Sequence, residues 1–467
     1  MEKQWQNNFI LQYFEPFFSN GVILFLSLHV KRVGVIIHLD LDCFFVSAEC
    51  TRIPELKGKP VVVCKSGDSK IFSTHDSESV MTESVGGFNG LMQHKKAFHG
   101  FDKNAWKSEF LDERGRVHGI VIAKSYEAKK YGIKTGTSLH DALAMCPKLL
   151  IIPSDHLFYQ LLSTKLRAFL ETKIPILEQY SIDEFWGDLK GWVKEEETYT
   201  FMASLQQEIL EKFNLPISIG ASSSKWIAKL ATDFRKPYGL TLVPKNEIAS
   251  FVALMPIATF PGIGRVLQKK FESYGIATLG EVLEHSKLVS TWGTIGKDLI
   301  ARISGADNEP VITKRDRRSI GISRNFHVIH NREEVLRRAI ILSRHLSYTI
   351  AKLDLHPTTY YLYLRYENGI SSKSSQTLDR SFSETMYREW VVQMVASLDT
   401  HPHYGVLHLG LALSNFITPT QTKTFSLLYA NEDEKSKRLS EKLTKLRDKY
   451  GADIIRSGAE KQENGVD

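Results

Sequence analysis

The chain has 467 residues, 42% of them hydrophobic and 24% charged, which is ordinary for globular protein and long enough for several domains. Sixty Lys and Arg residues against 53 Asp and Glu residues give a net charge of +7, a mild excess that permits a polyanionic partner without requiring one. The four cysteines show neither zinc-site spacing nor a disulfide framework, and the apolar run from 21 to 30 is too short to cross a bilayer. We therefore expect a reduced, cytoplasmic protein without a membrane segment.

The first recognisable element is a strand that ends in carboxylates. Residues 1–32 precede it and are rich in aromatics, and two interpretations stay open for them: a segment packed on the body of the protein, or an upstream start codon. The apolar run Val33–Ile37 predicts a buried strand, with Asp40 and Asp42 at its end. Side chains alternate along a strand, so these two carboxylates share one face, where they need hydrogen bonds, ion pairs or a metal ion.

A second acidic pair, Asp183 and Glu184, lies far downstream between Tyr180 and Trp186. Two carboxylate clusters on neighbouring strands make an oxygen-rich site for hard divalent cations, as two-metal phosphoryl transfer requires. The second pair therefore favours a cation site over the alternative, which is an acidic turn at the end of a strand.

Residues 66–118 are polar and show no sustained apolar period, which predicts a long surface insertion. Four of its residues could suggest a metal site, but their spacing is irregular and a metal site is not favoured. They are His75, Asp76, His94 and His99.

Beyond the insertion, apolar patterns predict alternating strands and helices. Strands are expected at Gly119–Ala123, Ile176–Tyr180 leading into Asp183–Glu184, Ile217–Gly220, Ser319–Arg324, Thr359–Arg365 and Val406–Leu411. Helices are expected at Tyr126–Tyr131, Asp141–Cys146, Leu157–Thr172, Tyr199–Phe213, Gly296–Ile303, Arg332–Leu353, Ser383–Leu398 and Glu432–Tyr450. The polar end, Gly458–Asp467, is expected to be disordered.

The segment Pro261–Gly264 and the amphipathic stretch after it predict a helix-hairpin-helix turn. Its two glycines let the backbone approach a phosphate and present N–H donors at a helix start. A plain turn between helices is the alternative, and the residues alone leave both interpretations open; Lys269 and Lys270 add positive charge beside the turn. Lys314–Arg318 follows as a compact basic linker.

Several motifs, in one order along the chain, resemble those of the Y-family, translesion DNA polymerases, especially the bacterial DNA polymerase IV-like group. The resemblance covers roughly residues 33 to 418. It rests on Leu56–Val63, Ser125–Gly132, Ser181–Glu184, Lys236–Gly239, Pro261–Gly264 and Arg317–Gly321.

The resemblance implies an α+β multidomain fold, a right hand with palm, fingers, helical thumb and an α/β little-finger domain. The expected parts are an N-terminal extension (1–32), palm (33–51 and 156–244), fingers (52–155, with the insertion), thumb (245–311), basic linker (312–318), little finger (319–418) and a C-terminal tail (419–467). The family normally has a short connection where the insertion lies.

The resemblance also implies the catalytic centre. Asp40, Asp183 and the backbone carbonyl of Leu41 would hold one Mg²⁺, and Asp40, Asp183 and Glu184 a second, with Mn²⁺ as a substitute. Asp42 would be structural or lie behind the metal ligands. Nucleotide contacts are implied for Phe44, Phe45 as the steric gate against a 2′-hydroxyl, Tyr126, Lys129 and Lys236. The family commonly has Arg at the position of Lys129, so a bidentate fork is replaced by a point charge.

DNA contacts are implied for glycines and cations of the thumb, linker and little finger: Gly262, Gly264, Lys269, Arg317, Arg318 and Arg324. The segment Gln421–Leu428 resembles, imperfectly, the peptide with which bacterial polymerases dock in the sliding clamp. Its contact residues would be Phe425, Leu427 and Leu428. A plain apolar anchor for the next helix is the alternative.

The implied function is template-directed addition of dNTPs to a primer 3′ end by a monomer. No exonuclease domain is recognised, so we expect no proofreading, and the family implies low fidelity and lesion bypass. A catalytically inactive adaptor that binds DNA and clamp is a second hypothesis, and a nucleotide cyclase with a related palm is a third. The retained carboxylates argue against the adaptor, and the helix-hairpin-helix and basic region argue against the cyclase.

Overall fold

The computed structural model describes residues 34–66, 70–72, 79–81, 92–94, 100–112, 114–314, 316–417 and 425–461. The strands there are β1 Ile36–Leu41, β2 Val61–Lys65, β3 Ser79–Met81, β4 Met92–His94, β5 Ile120–Lys124, β6 Leu150–Pro153, β7 Ile176–Gln179, β8 Glu184–Asp188, β9 Ile217–Ser222, β10 Leu240–Val243, β11 Ser319–Ile329, β12 Pro357–Tyr366, β13 Ser371–Thr377 and β14 Val406–Phe416. The interpretations offered for residues 1–32 lie outside the described residues.

The α-helices of the described residues are α1 Phe44–Arg52, α2 Lys107–Phe110, α3 Tyr126–Lys129, α4 Leu139–Met145, α5 His156–Glu171, α6 Thr198–Phe213, α7 Lys225–Phe234, α8 Ile248–Val252, α9 Arg265–Glu272, α10 Leu279–Glu284, α11 Ser286–Ser290, α12 Thr294–Ile303, α13 Arg332–Lys352, α14 Glu384–Leu398 and α15 Ala430–Tyr450. None of these helices combines the length and apolar character needed to cross a membrane.

A five-stranded sheet in the order β10-β9-β1-β8-β7 carries both acidic clusters. Its central strand β1 pairs antiparallel with β8 and β9, and this pairing extends the strand through Asp40 to Leu41, beyond the apolar run that predicted it. Helices α5 and α6 contribute to one apolar core with this sheet. Helix α7 covers β9 closely, since a side chain at Gly220 would meet the Ala228 carbonyl oxygen at 2.3 Å. We call this unit the palm.

A three-stranded sheet in the order β5-β2-β6 forms the unit that we call the fingers. Alternate residues of β2 face two different cores. Val61 and Val63 belong to the palm core, whereas Val62 and Cys64 belong to the fingers core with α4. The two units therefore share one strand.

Helices α8 to α12 form a third apolar cluster, the thumb, together with one face of α7. A four-stranded antiparallel sheet in the order β11-β14-β12-β13, with α13 and α14 on it, forms the little finger. The predicted helices and strands after the insertion are present to within a few residues.

The C-terminal residues correct one expectation. Helix α15 packs on α14 and α13, and Arg447 and Glu384 form a buried ion pair at 2.5 Å. The predicted disorder from Gly458 is wrong for Gly458–Lys461, because Glu460 is buried and accepts from Arg344 at 2.9 Å. The described part of this segment, 425–461, is therefore an added layer of the little finger. Short polar sequences gave no periodic signal of this packing.

The insertion corrects a second expectation, because it is only partly a surface feature. Phe110 of α2 is buried in the fingers core, and Phe72 is buried in the little-finger core. A two-stranded ladder of β3 and β4 lies between them in the chain. His75, Asp76 and His99 lie outside the described residues.

Candidate active site

Pairing of β1 with β8 brings the two acidic clusters together. Asp40 lies opposite Glu184 in the ladder, and the Leu41 amide donates to the Asp183 carbonyl at 3.1 Å. The carboxylates from positions 40, 183 and 184 thus gather at one end of two adjacent central strands. The sequence predicted two carboxylate clusters on neighbouring strands, and the β1–β8 register places Asp40 beside Glu184. Alternation had placed Asp42 on the same face as Asp40, but β1 ends at Leu41 and Asp42 has other partners.

Asp40 is held by a lysine. Lys236 Nζ lies 2.9 Å from Asp40 Oδ1 and 2.8 Å from Asp233 Oδ1. Burial raises the pKa of Asp40 to about 8; Lys236 works against this shift, and the charge of Asp183 adds to it. Burial lowers the pKa of Lys236, but Asp40 and Asp233 outweigh it, and the net shift is upward. Lys236 was predicted to contact a triphosphate; its ammonium lies beside a carboxyl group of the same site, and the triphosphate contact stays a prediction.

The second cluster is held in a similar way. Glu184 forms an ion pair with Lys229 of α7, and Asp183 accepts from the Ser181 hydroxyl at 2.5 Å. Burial raises the pKa of Asp183, and the hydroxyl of Ser181 opposes that shift. Sequence reasoning gave Lys229 no role. Its signal was the one-turn spacing from Lys225, which places both lysines on one face of α7.

The donor set suits a hard divalent cation. Asp40 lies opposite Glu184 in one ladder, and the charges of Asp183 and Glu184 both raise the pKa of Asp40. The site therefore concentrates negative charge that a bound cation would neutralise. Lysines compensate part of that charge. As they stand, no three His, Cys, Asp or Glu side chains in the described ranges converge on one metal position, because the carboxylates are turned to Lys236, Lys229 and Ser181.

Asp42 is not part of this cluster. It is 2% exposed and accepts from the Ser218 hydroxyl at 2.9 Å, the Tyr238 amide at 2.8 Å and the Tyr126 hydroxyl at 3.1 Å. It therefore ties β1 to β9, to the loop before β10 and to the start of α3. Ser218 and Tyr238 escaped sequence reasoning because the contacts are long-range.

The adjacent aromatics of α1 have different environments. Phe44 is 3% exposed and its ring belongs to the palm core, so any nucleotide contact would come from its backbone, and that contact stays a prediction. Phe45 is half-buried and stacks on Tyr159 at 4.5 Å between ring centroids, with 15° between the planes. The Tyr159 hydroxyl donates to the buried Glu49 at 2.6 Å, and Arg52 pairs with that glutamate at 2.9 Å. A fixed platform thus supports Phe45.

Tyr126 and Lys129 lie on α3, whose first turn is capped by the Ser125 hydroxyl. Lys129 is exposed, with its ammonium 5.9 Å from the centroid of the Tyr126 ring. Burial and the neighbouring Asp42 raise the pKa of Tyr126, so its hydroxyl remains a donor at neutral pH. Lys236 contacts Asp40, and the charge of Asp40 also raises the pKa of Tyr126, so these two predicted nucleotide residues border the carboxylate site.

The predicted DNA residues lie apart from the carboxylates. Gly262 has φ 95°, and side chains added at Gly262 or Gly264 would meet open space, so the turn before α9 is accessible. Lys269 and Arg318 are exposed. Arg317 is half-buried, and burial lowers its pKa. Arg324 donates to the Ser323 carbonyl at 2.8 Å.

The predicted clamp peptide is described from residue 425 onward. A 3₁₀ turn spans Leu427–Tyr429, directly before α15. Leu428 is 89% exposed and Phe425 is half-buried. An exposed leucine at this position fits neither a buried anchor nor a polar surface.

The chain matches known families and folds over most of its length. Residues 39–86 and 92–233 match the impB/mucB/samB family, and residues 317–427 match the C-terminal domain of that family. The DNA polymerase IV of Clostridium kluyveri is 27% identical over 440 residues, covering 91% of this chain and 98% of the relative. The DNA polymerase IV of Streptococcus pyogenes serotype M3 is 29% identical, covering 81% of this chain and 93% of the relative.

Solved structures share the fold. A Y-family DNA polymerase chimera of Dbh and Dpo4 superposes with a TM-score of 0.66 at 22% identity, covering 82% of this chain and 99% of that one. An insertion ternary complex of Dbh DNA polymerase gives 0.53 at 21% identity with the same coverage. The predicted right-hand α+β fold is confirmed. Together the matched segments exceed half of the sequence, and the chain belongs to the impB/mucB/samB family, the Y-family of DNA polymerases.

Proposed function

We propose that the chain is a DNA-directed DNA polymerase of the low-fidelity, translesion type, which extends a primer with dNTPs without proofreading. The observation that carries the proposal is the pairing of Asp40 with Glu184 across β1 and β8, with Asp183 beside them, inside a fold shared with Y-family polymerases. Damage tolerance in the cytoplasm by a monomer belongs to the same proposal.

The carboxylates of Asp40, Asp183 and Glu184 and the Leu41 carbonyl would hold two Mg²⁺ ions, with Mn²⁺ as a substitute. Bound there, the ions would lower the pKa of the primer 3′-hydroxyl and stabilise charge on the phosphates. Lys236 and Lys229 hold the carboxyl groups of Asp40 and Glu184 in place beforehand. The Lys236 ammonium, which lies beside Asp40 and Asp233, would then contact the triphosphate.

Nucleotide selection would rest on Phe45 and the residues behind it. The ring of Phe45 is fixed against Tyr159, so it can exclude a 2′-hydroxyl without moving away. Tyr126 and Lys129 would contact the phosphates. Because Lys129 is a single point charge, this contact lacks the bidentate geometry of an arginine.

DNA would lie along the thumb turn and the cations of the linker and little finger. Contacts from Gly262, Gly264, Lys269, Arg317, Arg318 and Arg324 would reach phosphates and carry no sequence information. We further propose that Phe425, Leu427 and Leu428 dock in a sliding clamp, supported by the exposure of Leu428.

Primer extension with Mg²⁺ and dNTPs tests the proposal. The wild-type chain should extend a primed template, and Asp183→Ala/Glu184→Ala should abolish extension while leaving DNA binding intact. Asp188→Asn, at the other end of β8 and opposite Ile36, is the matched control and should extend normally. If the wild-type chain binds primed DNA but extends nothing with Mg²⁺ or Mn²⁺, the chain is an adaptor.

A further inference from the structure

The insertion after β2 reaches a different domain from the one in which it starts. Residues Lys70–Phe72 form a 3₁₀ turn, which we call the clasp turn, and this turn contacts α13 of the little finger. Phe72 is 5% exposed and belongs to the little-finger core with Ile320 of β11 and Val335 of α13. Ile71 packs against the same core. The clasp turn thus completes an apolar core to which the fingers contribute nothing else among the described residues.

Two arginines of α13 line the groove that receives Phe72. The Arg338 guanidinium carbon lies 4.7 Å from the centroid of the Phe72 ring and 5.0 Å from that of Phe326. The two aromatic rings meet edge to face at 6.3 Å. Arg337 donates to the Phe72 carbonyl at 3.3 Å.

These arginines do not depend on the clasp turn for their orientation. Glu334 pairs with Arg337 at 2.5 Å and with Arg338 at 2.6 Å. Arg337 also donates to the Glu460 carbonyl at 3.4 Å. The groove is therefore built within the little finger, and the clasp turn occupies it.

The chain between the fingers and this groove is short. Strand β2 ends at Lys65, directly after Cys64 in the fingers core, and seven residues later Phe72 is seated. Extended chain spans at most about 3.5 Å per residue, so the groove lies within about 25 Å of the end of β2 as long as Phe72 stays in place. We call the chain between Lys65 and Phe72 the tether. The little finger is thus held by the tether as well as by the linker that follows the thumb.

We propose that the little-finger groove between β11 and α13 is a docking site for the clasp turn of the same chain, and that this docking limits how far the little finger can move from the fingers. A domain held by one linker loses more freedom when it closes on DNA than a domain that is already restrained. The restrained chain therefore binds primed DNA more tightly and releases it more slowly. The effect on DNA rests on the proposed polymerase function, whereas the restraint itself does not.

A variant with a longer tether separates the restraint from core packing. A flexible Gly/Ser segment of about 20 residues inserted after Ser66 adds about 25 Å of root-mean-square reach and leaves Phe72 and its groove unaltered. Small-angle X-ray scattering without DNA should show a larger maximum dimension than for the wild-type chain. Stopped-flow release of primed DNA should accelerate about tenfold, with extension at saturating DNA unchanged.

Phe72→Ala should change scattering and release in the same direction, and Phe101→Ala, a 37%-exposed phenylalanine of the same insertion, should match the wild-type chain. An unchanged scattering profile for the variant with the longer tether would show that the clasp turn does not limit movement of the little finger. Tighter DNA binding by that variant would show that the limit does not strengthen DNA binding. If the wild-type chain does not bind DNA at all, the polymerase proposal fails while the scattering comparison still decides the restraint.

Discussion

Asp40 shows how strongly its surroundings set the behaviour of a single carboxyl group. Burial raises the pKa of Asp40 to about 8, although Lys236 opposes the shift. Below that pH the cation-free chain carries a proton there, which a divalent cation must displace. We expect the affinity for Mn²⁺ without DNA to rise up to about tenfold per pH unit below about pH 8 and then to level off. Calorimetric titration with Mn²⁺ on both sides of this pH measures the affinity. Asp188→Asn should show the same dependence of affinity on pH as the wild-type chain. An affinity that does not change with pH would contradict a cation site at Asp40.

Lys229 competes with a cation for Glu184. Lys229→Met removes the positive charge, so the carboxylate cluster becomes more negative. We expect the cluster to bind Mn²⁺ about threefold to tenfold more tightly in this variant, because a nearby unit charge that water screens is worth about 1 kcal/mol. Electron paramagnetic resonance of free Mn²⁺ gives the dissociation constant. Lys245→Met, on an exposed turn, should leave it unchanged.

Tyr159 supports Phe45 through its ring and Glu49 through its hydroxyl, and two substitutions separate these roles. Tyr159→Phe keeps the stack, so the preference for dNTPs over rNTPs should stay while stability falls by about 1–3 kcal/mol. Tyr159→Ala removes the platform, so rNTP incorporation should rise. Ratios of kcat/KM for the two sugars and urea unfolding provide the measurements. Equal sugar discrimination in both variants would show that the stack is not needed.

At the scale of elements, the start of α7 fixes the segment between thumb and little finger. Lys225 and Glu178 form a buried ion pair at 2.5 Å. Glu178 also accepts from the Ile312 amide at 2.8 Å, and Lys225 donates to the Pro310 carbonyl at 3.3 Å. Ser224 adds a hydrogen bond to Asp307. One helix start thus joins the palm edge strand β7 to the chain that leaves the thumb.

Breaking this ion pair should be costly for stability. Lys225→Met leaves the Glu178 carboxylate buried without its cation, and we expect a loss of about 3–5 kcal/mol in the free energy of unfolding. The double variant Lys225→Met/Glu178→Gln should recover most of it, because no buried charge remains. Urea unfolding of the single and double variants tests this coupling; equal losses in both would rule it out.

The elements themselves were largely predictable, and their contacts only in part. Long amphipathic patterns gave α5, α6, α13 and α15 because a periodic apolar face is a local signal. The burial of Phe72 in the little finger was not predictable. The three-residue turn around it shows no periodic apolar pattern, and the groove that receives it is formed by residues more than 240 positions away in the sequence. Phe44 and Phe45 are neighbours in the sequence, and the sequence did not indicate which of the two rings is buried in the core.

At the scale of the whole molecule, the net charge is only +7, and we expect the affinity for DNA to fall as the salt concentration rises. If Arg317 and Arg318 each contact a phosphate, Arg317→Ala/Arg318→Ala should reduce the slope of log affinity against log salt by about 2, with weaker binding to every sequence alike. Fluorescence anisotropy across a salt series gives the slope. Arg167→Ala, on the exposed face of α5 and paired with Glu171, is the control and should not alter it. An unchanged slope in the double variant would remove the linker from the DNA contacts.

The shared strand β2 has a mechanical consequence. With Val61 and Val63 packed in one core and Val62 and Cys64 in the other, a hinge at this strand would open both cores at once. We therefore expect the fingers and palm to move as one unit. Under the proposed function, a nucleotide that binds beside α3 would meet fingers already fixed to the palm, so the fingers could not close to test the fit of a base pair before reaction. For the proposed translesion polymerase, that stiffness would favour tolerance of misshapen template bases.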